Sequence, residues 1–478
     1  MSRLLEDFKP LQGQLENAGF RGSNQRGIEY HEYDDSEKIV AACNFQKRKN
    51  SANLMQSQII GEIISTYSSQ RTETNKCFLL MAAGGTGKTF VQNTIIEYIK
   101  SKEVSNYSFV TMSSTAISAQ LLENGRTAHS TMKLPLDIFE PDVRCGIDFS
   151  SSIATQLRQA KVIFWDEIFG MRKELVDAVD KFFQNLHSST VPFGGILTIF
   201  SGDLRQTLPK LKHARRGTIA NACFTRSNCF KYFKIRKLTQ NMRLQDSETN
   251  RLFAKYLLDV GDRKLSGYIT VPSYIKLTKT LDELITFVFG SNINDLSTTD
   301  LAERAILAPL NKDVADINDK ILHRLRGNEV VYLSTDEELD PNGNLSYDIP
   351  SEVLNSTSRP GLPPHKLILK PGCLVMCMRN LSREVCNGTK LQVQSCKQYL
   401  LDCKILTGPG KGKIITIPRI KLTDNNTPNT FILRRKQFPV CLAYAITIDK
   451  SQGQSLEHVG VSLTSECFAH GQLYTAIS

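Results

Sequence analysis

What the 478-residue sequence lacks narrows it first. No apolar run approaches the roughly 18 residues that span a bilayer. Its opening residues, Met1-Ser2-Arg3-Leu4-Leu5-Glu6-Asp7, carry charge where a secretory signal is apolar. A soluble, intracellular protein with no membrane partner is therefore expected, nuclear if the source is a eukaryote. Internal repeats and low-complexity tracts are missing too, which argues against a solenoid or a disordered tail. Tryptophan occurs once, as Trp165, and reads as sheet-core packing. The 12 cysteines include no CxxC pair, so neither a zinc ribbon nor a disulfide framework is expected. Cys373 and Cys377 alternate with Val375 and should share one buried strand face. Acidic residues are short: 48 Asp and Glu against 59 Lys and Arg give a net charge of +11 and a pI near 9.0. That excess suits a polyanionic partner, nucleic acid first, and says nothing about fold.

The length exceeds what one core fills, so two to four domains are expected. The most informative stretch is Cys77-Phe78-Leu79-Leu80-Met81-Ala82-Ala83-Gly84-Gly85-Thr86-Gly87-Lys88-Thr89, an apolar strand entering a glycine-rich turn. Gly84, Gly85, Thr86 and Gly87 let consecutive N–H groups converge on an anion. Lys88 adds a point charge at the β- and γ-phosphates, and Thr89 offers a hydroxyl to Mg²⁺. The strict phosphate-loop pattern has glycine where this chain has Ala82, tolerable only at negative φ. Phe90 to Lys100 then shows helical spacing, as the motif requires.

Further strands with polar ends follow. Tyr107–Met112 leads to a helix over 116–123, Val162–Trp165 ends in Asp166-Glu167, and Ile196–Phe200 ends in Ser201-Gly202-Asp203. Alternating strands and helices with chemistry at the strands' C-terminal ends predict an α/β fold with an open, mainly parallel sheet. A second such unit starts at Ala305, and residues 333–437 change to short alternating strands with Pro, Gly and Asn, a small β-domain inserted in it. The first 50 residues show no convincing periodicity and read as an extension. Asp166 suits Mg²⁺, Glu167 can orient and deprotonate an attacking water, and Gln206 can touch both γ-phosphate and water. Arg205 reads as a brace for its loop.

In combination, these motifs resemble the petite-integration-frequency (Pif-type) DNA helicases of superfamily one, and within them the helicase domain of helitron-type transposases. The motifs are Gln58, Gly125-Arg126-Thr127-Ala128-His129-Ser130, Trp165-Asp166-Glu167, Gly202-Asp203-Leu204-Arg205-Gln206, Leu238-Thr239-Gln240-Asn241-Met242-Arg243, Leu369-Lys370-Pro371-Gly372, Cys386-Asn387-Gly388-Thr389 and Lys450-Ser451-Gln452-Gly453-Gln454-Ser455-Leu456. The resemblance covers about Leu54 to Ser478. It implies two RecA-like P-loop domains, with domain 1A over 51–235 carrying a small wedge near 113–136. Domain 2A occupies 236–332 and 438–478, and an SH3-like domain 2B lies between at 333–437.

The resemblance also implies roles for single residues. Gln58 would read adenine, Gly453 would join the nucleotide site, and Arg243 would reach the γ-phosphate. Ser114, Thr127 and His129, with Thr447, Lys450 and Gln452, would lie along a DNA backbone. The implied activity is ATP- and Mg²⁺-dependent 5′-to-3′ movement on single-stranded DNA and unwinding of forked duplex by a monomer, in repair, recombination, telomere maintenance or transposition. Asp449 beside Lys450 should weaken DNA contact locally. The pattern places an arginine next after Ser478, so these 478 residues are expected to bind ATP and DNA and to hydrolyse slowly. The alternative is a catalytically weakened DNA-binding remnant or fragment of a transposase.

Overall fold

A computed structural model describes residues 30–478 except 70–75, 136–137, 139–142, 210, 212–213, 243–246, 266–268, 341–342, 347, 360, 383 and 425–430. The chain forms two compact units, Arg26–Lys276 with Cys467–Ser478, and Leu277–Glu466.

The first unit is built on six parallel strands, β1 (Cys77–Ala82), β2 (Phe109–Ser113), β3 (Arg126–Thr127), β4 (Val162–Asp166), β5 (Leu197–Gly202) and β6 (Lys234–Leu238), in the order β3-β2-β4-β5-β1-β6. Strands β2, β4 and β5 are buried along their whole length, which explains their unbroken apolar runs. Helix α1 (Asp35–Ser51) precedes them, followed by α2 (Leu54–Ser68) and α3 (Lys88–Lys100). The sequence gives no periodic signal for α1, because among its described residues only Ala41 is buried. Its start is fixed instead by a capping box, Asp34 accepting the Glu37 N–H at 2.8 Å while Glu37 accepts the Asp34 N–H at 3.0 Å. Beneath the site, Trp165 is fully buried and packs edge-on against Phe200 at 5.4 Å, and Phe200 stacks on Phe233 at 4.6 Å. Each such aromatic contact is worth about 0.5–1.5 kcal/mol beyond area burial. The stretch expected as a wedge holds β3 and a short helix, α4 (Ala128–Met132).

The second unit has a parallel sheet, β7 (Arg304–Ala308) flanked by β19 (Ala445–Thr447) and β20 (His458–Val461), with α5 (Asn311–Arg324) against it. Asn318 on that helix clasps β19, donating to the Ala445 carbonyl at 2.9 Å and accepting the Ala445 N–H at 2.9 Å. Between β7 and β19 the chain forms antiparallel sheets. The largest runs β15 (Ile414–Pro418), β14 (Leu400–Ile405), β13 (Lys390–Cys396), β12 (Leu374–Cys377) and β18 (Val440–Leu442). Cys373, Val375 and Cys377 fall in one hydrophobic cluster, as their alternation suggests. Cys441 pairs with Met376 in β18, so the parallel sheet resumes at Ala445. The fold is thus a RecA-like α/β core with antiparallel sheets in an added domain. Among the described residues no helix is long and apolar enough to cross a membrane.

Lys390 opens β13 with its ammonium in the core, donating to the Ala302 carbonyl at 2.7 Å and the Arg304 carbonyl at 3.3 Å. Burial pushes its pKa down to about 8. The unfolded value is about 10.4, so between these two pH values the native state binds fewer protons than the unfolded chain and its stability increases with pH. Thermal melts of wild type and Lys390→Met should therefore diverge in favour of wild type as pH is raised from 8 to 10. A pH-independent difference contradicts this.

Candidate nucleotide site and DNA-facing residues

The phosphate cradle follows from the end of β1. Ala82 sits in the extended strand, which accommodates its methyl group, and the left-handed positions fall on Gly85 (φ 78°) and Gly87 (φ 90°). Gly87 has a second reason to be glycine: a Cβ there would lie 2.4 Å from Nε2 of Gln56. Thr86 is buried and its hydroxyl donates to the Ala83 carbonyl at 2.8 Å, fixing the turn. Lys88 opens α3 and donates its ammonium to the Ala82 carbonyl at 3.0 Å, so it lies folded along the loop. Thr89 follows in the first turn of α3, half-buried. The other flank is closed by Met242, whose N–H donates to the Gly85 carbonyl at 2.8 Å. Arg243, one residue on, lies outside the described residues.

Register brings the acidic groups to the same edge. Leu80 pairs with Ser201 and Ser113 with Asp166. Asp166 is 2% exposed, its carboxylate accepts the Ser201 hydroxyl, and Ser201 in turn accepts from Gln92 at 2.9 Å. Glu167 leaves the strand in a left-handed conformation (φ 54°, ψ 42°), a strained geometry for a non-glycine residue. Desolvation raises the Glu167 pKa, the nearby Asp166 and Asp203 charges add to the rise, and Lys88 opposes it. A carboxyl held this way favours the neutral acid until a cation or pH removes the proton, the property of a general base tuned upward. Gln206, half-buried, sits in the turn after β5, its N–H donating to the Asp203 carbonyl at 3.1 Å. Lys88, Asp166, Glu167 and Gln206 thus share the C-terminal edge of one sheet.

Gln58, singled out by motif order, is exposed on α2. The glutamine at the P-loop is Gln56, 2% exposed, whose Nε2 donates to the Thr86 carbonyl at 3.2 Å and whose Oε1 accepts the Asn53 N–H at 3.1 Å. The physical reason is helix phase: Asn53 caps α2, and the third residue of a capped helix folds back toward its start.

The residues assigned to DNA divide between the units. Ser114 donates its hydroxyl to the Glu167 carbonyl at 2.6 Å, and Thr127 caps α4 by accepting the Ser130 N–H at 3.3 Å. His129 is half-buried in α4, and desolvation lowers its pKa, so it offers a neutral ring rather than a charge. In the second unit Thr447 ends β19, Lys450 is exposed, and Gln452 and Gly453 lie in the turn closed by the Gln454 N–H on the Ser451 carbonyl at 2.9 Å. Gly453 has φ 78°.

A P-loop cradle, an acidic pair and a glutamine on one parallel edge define a nucleoside-triphosphate-hydrolysing site on a RecA-like core. The model of the PIF1-like helicase family matches residues 52–268, and that of the DNA helicase Pif1 2B domain matches 352–395. The chain belongs to the Pif1-like helicases. It is 26% identical to the ATP-dependent DNA helicase Pif1 of Bdellovibrio bacteriovorus over 84% of this chain and 81% of that protein. With the PIF1 helicase of Danio rerio it shares 25% identity, covering 85% of this chain but only 57% of the relative. Bacteroides Pif1 bound to single-stranded DNA has the same fold, with a TM-score of 0.62 at 22% identity over 89% of this chain and 88% of that one. The Candida albicans Pif1 helicase gives 0.59 at 21% identity over 89% and 92%.

The choice of glutamine is checked by fluorescent ATP binding. Gln56→Ala should lose up to about tenfold in affinity, the scale of one buried hydrogen bond, and Gln58→Ala should match wild type; the reverse order points to Gln58.

Proposed function

We propose that the chain is an ATP-driven DNA helicase that moves 5′ to 3′ on single-stranded DNA and opens forked duplex. The observation that carries the reading is the convergence of Lys88, Asp166, Glu167 and Gln206 at one sheet edge. ATP would lie with its phosphates against the Gly84–Lys88 amides and its base toward Gln56. Lys88 would release the Ala82 carbonyl and turn its ammonium to the phosphates. Asp166 is a buried carboxylate and Thr89 lies in the first turn of α3 after the cradle, oxygen donors of the kind a hard divalent cation takes, so the two would hold Mg²⁺, which neutralises phosphate charge when bound. Glu167 takes the proton of the attacking water, and Gln206 aligns that water with the γ-phosphate. Arg243 and Gly453 complete the nucleotide contacts in this reading.

Thr127 and His129 in one unit, and Thr447, Lys450 and Gln452 in the other, are backbone-contact types that would hold the strand without reading its bases. Ser114, tied to the Glu167 carbonyl, connects such a contact to the base that activates water. Bacteroides Pif1, of the same fold, is bound to single-stranded DNA, and the net charge of +11 here favours a phosphate backbone as partner.

ATP turnover should increase on adding single-stranded DNA and vanish in Lys88→Ala, and DNA affinity should fall with salt by about 0.7 log units per log unit for each phosphate neutralised. DNA-indifferent turnover or salt-independent binding contradicts the proposal. Glu167→Gln should lower turnover by about 10² to 10⁴ while ATP still binds. In wild type the acidic limb of the pH–rate profile should lie above the ordinary Glu value near 4.3, because the base must be deprotonated to act and its pKa is raised. A limb at that ordinary value removes Glu167 as the base.

A further inference from the structure

The loop carrying Gln206 is gripped by side chains that the nucleotide chemistry does not use. Asp203, 2% exposed, accepts the Arg205 N–H at 3.1 Å and the Tyr474 hydroxyl at 2.7 Å. Tyr474, 3% exposed, stands on α6 (Gln472–Ile477). Arg205 reaches the other way, its Nε donating to Asp262 at 2.6 Å, just past a helix over Glu248–Gly261.

Two glycines make this approach possible. A Cβ on Gly261 would lie 2.6 Å from Cδ of Arg205 and 2.8 Å from Cδ2 of Tyr474. A Cβ on Gly471, already at φ 76°, would lie 2.4 Å from the Gln206 carbonyl oxygen and 2.5 Å from that of Arg205. No side chain larger than hydrogen fits at either point without moving backbone or the ion pair.

We propose that Tyr474 is a positioning residue for hydrolysis: its hydroxyl holds Asp203 at the start of the Gln206 turn, and the Arg205–Asp262 pair braces the same turn, so that Gln206 is held in line with the γ-phosphate. The inference rests on the ATP-hydrolysing reading above. The tie acts on the loop that meets the reacting phosphate and touches none of the residues proposed to bind the base. It therefore governs turnover more than nucleotide affinity.

The test is steady-state ATPase of the 478-residue chain with single-stranded DNA, beside melting followed by the fluorescence of its one tryptophan, Trp165. Tyr474→Phe, which removes one buried hydroxyl, should lower kcat about tenfold with KM for ATP within about twofold and the melting temperature unchanged. Asp262→Asn, at a partly exposed site that folding tolerates, should lower kcat in the same pattern, and Arg205→Lys should retain more turnover than Arg205→Ala. An unaltered kcat in both Tyr474→Phe and Asp262→Asn, or losses of kcat that merely track falling melting temperature, overturns the proposal. Should wild type itself fail to hydrolyse ATP, the helicase reading fails, and the network is decided by binding of ADP–aluminium fluoride against ADP. Wild type should prefer the mimic, Tyr474→Phe should lose at least about fivefold of that preference, and equal preferences reject the network.

Discussion

Parallel pairing of β1 between β5 and β6 is the constraint on which the candidate site depends. With β1, β4 and β5 all running the same way, the residues that follow Ala82, Asp166 and Gly202 emerge at one level. A one-residue slip in any of these pairings would turn every side chain of that strand to the opposite face of the sheet and carry its terminal residue off the edge. Apolar packing enforces the register from below. Trp165 and Phe200 are opposite each other in the sheet and touch through their rings, and Phe193, Phe224 and Phe233 close around Phe200. Losing so large a buried side chain as Trp165 would cost on the order of 3–5 kcal/mol, a sizeable share of a domain's net stability.

On that platform local electrostatics separates the roles of the two acidic neighbours. Asp166 keeps strand geometry and accepts a hydroxyl, an environment suited to a charged ligand for a cation. Glu167 leaves the strand in a left-handed conformation and sits among like charges with little water, so its proton is held more firmly.

The β1 strand, its glycine turn and the acidic pair were legible in the sequence, because a fully buried strand followed by glycines leaves a pattern that survives without tertiary information. Helix α1 was not, since it buries only Ala41 fully and its only strong signal is the Asp34-to-Glu37 cap. The glutamine beside the cradle was not singled out for a related reason, Gln58 being named instead. Gln58 was placed by motif order, whereas Asn53 followed three residues later by Gln56 was a visible capping box that fixes which glutamine folds back to the helix start. The extent of the inserted β-domain was blurred where β18 continues the antiparallel sheet, because strand composition does not reveal which neighbour a strand will pair with. The Tyr474 tie could not be read at all: Asp203 and Tyr474 are 271 positions apart, and only coordinates join them.

The most direct test is a crystal structure of the chain with ADP, aluminium fluoride and Mg²⁺. The account predicts the fluoride group at the end of β1, in contact with the Lys88 ammonium and with the Glu167 carboxylate and Gln206 amide on opposite sides of the attacking water. Nucleotide bound elsewhere, or bound at the cradle with Glu167 and Gln206 turned away from the fluoride, contradicts it.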